Sequence, residues 1–105
     1  MAQGPGAPCG IEEEVQGGQV TLHGVVSGQA GETGRYRLQV AKLDMSGTSN
    51  IVQAGEFRLE PTGRARVGQV GISIGPGGRY DATLALELDG RTLECKASGP
   101  STTRL

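Results

Sequence analysis

The sequence predicts an all-β fold, a seven-stranded immunoglobulin-like antiparallel β-sandwich. Three observations carry that expectation. Seven short runs alternate apolar and polar residues, with turn signals between them roughly every eight to twelve positions. No stretch sustains the helical period of apolar residues. Two cysteines, Cys9 and Cys95, fall in the first and last runs, where they are placed to staple a small domain. A small Greek-key barrel is the alternative architecture for the same pattern.

The first run sets Ile11, Glu13 and Val15 against Glu12, Glu14 and Gln16, and Gly17-Gly18 ends it. In the second, Val20, Leu22 and Val26 share a face before the glycine-rich loop Gly28 to Gly34. The third turns Tyr36, Leu38 and Val40 inward and Arg35, Arg37 and Gln39 outward, and a polar loop from Met45 to Asn50 follows. The fourth places Ile51, Phe57 and Leu59 on one parity and stops at Pro61-Thr62-Gly63. The fifth, Ala65 to Ile74, changes parity between Val67 and Val70, Ile72 and Ile74, and a bulge near Gly68 reconciles its halves. Gly75-Pro76-Gly77-Gly78 then breaks the chain. The sixth is the most regular, with Tyr80, Ala82, Leu84, Leu86 and Leu88 inward and Arg79, Asp81, Thr83 and Glu87 outward. Asp89-Gly90, a strong hairpin signal, joins it to a seventh run through Leu93 and Cys95.

At 105 residues the chain forms one domain, expected over residues 9–97 between a flexible segment at 1–8 and a flexible tail at 98–105. Tyr36, Phe57 and Tyr80 are its only aromatic residues, so the core must be built from Val, Leu, Ile and Ala. A Cys9–Cys95 bridge would close a loop of about 86 residues, worth roughly 4–5 kcal/mol in the chain-entropy model. A persistent bridge implies an oxidising compartment such as the periplasm. Two buried free thiols in a reducing cytosol are the alternative for the same positions. Residues Met1 to Pro8 lack the apolar stretch of a secretory leader, so an exported protein would be represented here in its mature form. The net charge of −1 gives no support for nucleic-acid binding, and no apolar run is long enough to mark a membrane span.

Catalytic constellations are thin. His23 is the only histidine and lies on the outward parity of the second run, which makes it a surface residue with no nucleophile beside it. The cysteines are too far apart for a redox motif, and one histidine with two separated cysteines makes a poor zinc set. Glu12, Glu13 and Glu14 alternate between faces and so do not converge on a cation. Gly75-Pro76-Gly77-Gly78 lacks the Lys-Ser/Thr and helix of a phosphate loop. Neither a cofactor nor a metal nor catalysis is expected; the expected function is binding.

The surface then carries the argument. In an immunoglobulin-like partition, runs three, six and seven share one sheet and the others form the second. The outer face of the first would carry Arg35, Arg37, Arg79 and Lys96 against Asp81, Glu87 and Glu94. The outer face of the second would carry Glu12, Glu14, Glu56 and Glu60 against Arg58. Such polarised faces suit the steering of a charged partner, and Arg35, Arg37, Arg79 and Lys96 are the candidate binding residues.

Several segments carry a family resemblance. They are Cys9-Gly10-Ile11, Gly34-Arg35-Tyr36-Arg37-Leu38-Gln39-Val40 and the run from Gly47 to Phe57. Arg79-Tyr80-Asp81-Ala82-Thr83-Leu84 and the closing segment Asp89 to Cys95 complete the set. In order and spacing they resemble the CsgH proteins of the CsgC-like family, over about Cys9 to Lys96. The resemblance implies a periplasmic chaperone that binds curli amyloid subunits (CsgA-like) non-covalently and stops premature amyloid assembly; a monomer is the expected state. The Cys-x-Cys pair of the CsgC branch is absent, so no redox role is carried over. Gln53-Ala54-Gly55 also resembles part of the repeat of curli subunits, which allows client mimicry; close packing or a bulge is the alternative. A generic exported binding or adhesion module is the competing function, although a sugar site would normally call on more aromatic platforms than three.

Overall fold

The computed structural model describes residues 8–45, 47–75, 77–88 and 90–100. The leading segment through residue 7, the tail from 101, and Ser46, Pro76 and Asp89 in expected turns lie outside the described residues. Seven strands follow in order: β1 (Cys9–Gln16), β2 (Gln19–Ser27), β3 (Thr33–Asp44), β4 (Gly47–Arg58), β5 (Arg64–Ser73), β6 (Arg79–Leu88) and β7 (Arg91–Gly99). They form two antiparallel sheets, ordered β1-β2-β5 and β4-β3-β6-β7. The two stack as a β-sandwich.

Strand alternation builds the core. Val20, Leu22 and Val26 of β2 face Leu38 and Val40 of β3 and Leu84, Leu86 and Leu88 of β6, all removed from solvent. Each fully buried aliphatic side chain contributes about 1.5–3 kcal/mol relative to exposure. The central strands β2, β3 and β6 supply most of it because each has a neighbour on both sides.

The sandwich is closed differently along its two long sides. On one side Cys9 of β1 and Cys95 of β7, both buried, form a disulfide with Cα atoms 6.1 Å apart, within the usual bridging range. The staple therefore joins the edge strands of two different sheets. Farther along the same side the Tyr80 hydroxyl donates a hydrogen bond to the Glu13 carboxylate, which turns this side chain of β1 toward the other sheet. On the other side β4 lies against β5. The register of β5 slips there: Gln69 pairs with His23, but Val67 pairs with Gly24, leaving Gly68 as the extra residue of the expected bulge. Gly68 has φ +72°, and a Cβ there would stand 3.1 Å from the Tyr36 ring, so glycine satisfies both backbone and space.

Three expectations change. The polar stretch Gly47 to Asn50 is strand, because Asp44 pairs with Gly47 and only two positions remain between β3 and β4. That short connection keeps β4 beside β3 for twelve residues, so β4 joins β3, β6 and β7 and not the other sheet. At the C-terminal end β7 pairs with β6 as far as Gly99, two residues past the expected domain boundary.

Tyr80 supplies a pH test. Burial first, and then the hydrogen bond and charge of Glu13, hold its phenol well above the ordinary value of 10.0. The folded state keeps a proton that the unfolded chain gives up, so this contribution is complete below pH 10 and is lost as pH rises beyond it. In Tyr36→Phe, absorbance at the phenolate band is expected to stay low at about pH 11 while the fold persists. Half-ionisation near pH 10 in the folded protein would contradict this placement.

Candidate interaction surface

The outer face of the four-stranded sheet can be read directly from register. Inward positions of β3, such as Leu38 and Val40, pair with Leu84 and Ala82 of β6, so the odd-numbered residues of β3 face solvent. One cross-strand row runs Glu56, Arg35, Glu87, Thr92, and the next runs Ala54, Arg37, Ala85, Glu94. A third runs Val52, Gln39, Thr83, Lys96, and a fourth Asn50, Ala41, Asp81, Ser98. Thr48, Leu43 and Arg79 form the last. All four expected binding residues, Arg35, Arg37, Arg79 and Lys96, therefore lie on this face.

They do not form a patch. Arg35 and Arg79 stand at rows eight β3 positions apart, roughly 27 Å along the strand. Arg35 sits between two carboxylates and approaches Glu56 at 4.0 Å, while Lys96 lies 3.8 Å from Glu94. Both pairs are exposed, which limits their worth to about 1 kcal/mol or less. Among the described residues, neither Arg37 nor Arg79 has a carboxylate within ion-pair distance. Arg37 is exposed and flanked by Ala54 and Ala85, so its cross-strand neighbours on both sides are uncharged.

The expected acidic counter-face is not formed. Glu56 and Arg58 belong to β4 and so lie on the same face as Arg35, while Glu60 lies outside the strands. The outer face of the three-stranded sheet retains Glu12 and Glu14, and Glu12 pairs with Arg66 at 3.5 Å. His23 lies on that face but is only 7% exposed, contrary to the expected surface position. It sits on the central strand with Glu12 opposite on β1 and Gln69 opposite on β5, and those neighbours cover it. Its Nε2 lies 3.9 Å from Glu14, and its Nδ1 is buried without a hydrogen-bond partner. Among the described residues no group of three or more His, Cys, Asp and Glu side chains is arranged to hold a metal.

For Gln53-Ala54-Gly55 the structure shows the alternative of close packing beside a bulge, although the bulge belongs to β5 and the partner of Gln53 was not foreseen. The Gln53 side chain points from β4 toward the other sheet, and its Oε1 accepts a hydrogen bond of 2.8 Å from the Gln69 backbone N–H beside the bulge. Two residues on, a Cβ at Gly55 would stand 3.1 Å from the Tyr36 ring. Gln53-Ala54-Gly55 thus closes the β4–β5 side of the sandwich. The bulge and the inward parity of Gln53 were both available in the sequence; their meeting across the sheets was not.

The comparisons agree with this architecture. A family model described as CsgH protein matches residues 8–98. The chain belongs to the CsgH family. The solution structure of R. palustris CsgH is 38% identical, covers 84% of this chain and 87% of that chain, and superposes with a TM-score of 0.71. The E. coli curli protein CsgC, 18% identical, covers 89% and 97% with a TM-score of 0.65 and shares the fold. Among curated proteins, none matches the sequence.

Gln53→Ala removes the side-chain acceptor of the Gln69 amide beside the bulge. The expected loss is about 1 kcal/mol, with faster hydrogen exchange at the Gln69 amide. An unchanged Gln69 exchange rate would show that this bond does not hold the β4–β5 side.

Proposed function

We propose that this protein is a non-enzymatic periplasmic chaperone that keeps curli amyloid subunits (CsgA-like) from assembling prematurely, acting as a monomer. The observation that carries the reading is the CsgH family match across residues 8–98, nearly all of the folded chain. The fold shared with a curli protein of E. coli supports it. So does the Cys9–Cys95 disulfide, since such bridges persist in oxidising compartments.

Amyloid growth proceeds by adding strands of identical subunits to an open edge. A soluble sandwich that binds a subunit transiently lowers the concentration of free strands without joining the fibril. Arg35, Arg37, Arg79 and Lys96 are the proposed contacts for acidic stretches of the subunit. Their dispersal among Glu56, Asp81, Glu87 and Glu94 suits brief encounters, because no large uncompensated field holds the partner in place. Arg37 carries the largest share of this role as the cation with uncharged neighbours on both sides.

Thioflavin-T kinetics of a purified curli subunit test both parts. Wild-type protein at a low molar ratio is expected to lengthen the lag, while an unrelated β-sandwich leaves it unchanged. Arg35→Glu with Arg37→Glu is expected to weaken inhibition, most strongly at low salt, where the screening length grows from about 10 Å at 0.1 M to about 30 Å at 0.01 M. An unchanged lag with the wild type would overturn the function in favour of a binding or adhesion module. Equal inhibition by the variant at every salt concentration would remove this face.

A further inference from the structure

Two sheets expose four edge strands, and they are not equally protected. Natural edges oppose pairing with other chains through charges, prolines, bulges or coverage. β1 carries Glu12, Glu13 and Glu14 in succession and is tied to β7 at Cys9. β5 is bent by the Gly68 bulge and begins with Arg64 and Arg66. β7 carries Arg91, Glu94 and Lys96 and is followed by Pro100. β4 differs from all three. It pairs with β3 through twelve positions without a register shift, and residues 47–55 contain neither a charge nor a proline. Nine extended residues offer about 30 Å of open backbone.

The geometry points to β4 residues 47–55 as a docking strand that takes one extended, uncharged β-segment of an amyloid-forming partner by strand addition. The chemistry of the edge selects that occupant. Its outward row is Thr48, Asn50, Val52 and Ala54, with Val52 47% exposed, and its other row is Ser49, Ile51, Gln53 and Gly55. An incoming strand places one set of alternate side chains beside the outward row, while the inward row already packs toward the other sheet through Ile51, Gln53 and Gly55. Small aliphatic and amide side chains fit there, whereas an ionised one meets no counter-charge until Glu56 and Arg58 end the strip. Arg37 lies one strand inward, opposite Ala54, so an acidic flank of the same partner reaches a cation while its uncharged core pairs with the edge.

Docking in this position also interrupts templating. Sandwich sheets twist by roughly 20–25° per strand, and a strand added to β4 inherits that twist. Cross-β stacks pair identical, nearly untwisted strands in register. A segment held on β4 is therefore a poor template for the next subunit. This inference rests on the proposed function for its partner but not for its site.

Hydrogen exchange of the full, oxidised protein tests the site with an uncharged, monomeric twelve-residue peptide rich in Gln, Asn, Ser and Gly. At about ten times its Kd the peptide is expected to slow exchange about tenfold at amides within 47–55. The same peptide with lysine at alternate positions is expected to leave them unchanged. Slowing at β1, β5 or β7, or nowhere, would overturn the assignment. So would slowing at β4 that depends on protein concentration without peptide, since it would give the edge to a second copy of this chain. Asn50→Lys with Val52→Lys changes two outward positions and keeps Arg35, Arg37, Arg79 and Lys96. With its unfolding midpoint preserved, this variant is expected to lose both peptide protection and most of the lag extension. If the wild type protects β4 but does not lengthen the lag, the chaperone reading falls and the docking edge stands. If the wild type lengthens the lag and the variant does so equally, the docking edge falls and the chaperone reading stands.

Discussion

The Cys9–Cys95 bridge is the constraint on which the rest of the molecule depends. With three aromatic residues in 105, the interior is built from aliphatic side chains of modest size. The bridge lies between the first and last strands and between the edges of two sheets, so it fixes both the chain ends and the stacking of the layers. Its main effect falls on the unfolded chain, whose freedom it restricts over almost the whole sequence. The Tyr80–Glu13 hydrogen bond adds a polar tie between the same two layers.

That constraint makes the sandwich asymmetric. The β1–β7 side is covalently closed, while the β4–β5 side is held by packing and by the Gln53–Gln69 bond. A firmly closed side leaves β4 able to remain an edge without opening the core. The charged outer face and the uncharged edge are continuous, because β4 contributes to both. The proposed encounter through scattered cations and the proposed capture along a neutral strand would then be two steps on one sheet.

Much of this was legible in the sequence. Period-2 alternation located all seven strands, the parity change between Val67 and Val70 located the Gly68 bulge, and the terminal cysteines located the staple. What escaped depended on pairing partners. Gly47, Thr48, Ser49 and Asn50 are turn-forming residues by local preference, and only their register with β3 makes them strand. The sheet occupied by β4 follows from the two-position connection after Asp44, whose shortness becomes visible only once Gly47 is known to pair. Alternation correctly sent His23 outward, but burial on the outer face of a central strand is decided by neighbours from two other strands. Likewise the parity of Arg35 was readable, whereas its position between Glu56 and Glu87 was not.

The most direct test of this account is equilibrium urea unfolding of the oxidised and fully reduced protein under otherwise identical conditions. If the bridge holds the frame, reduction lowers the unfolding free energy by roughly 2–5 kcal/mol and moves the midpoint down accordingly. Coincident curves, with intact mass confirming full reduction, would contradict the claim and place the stability of the sandwich in its aliphatic core alone.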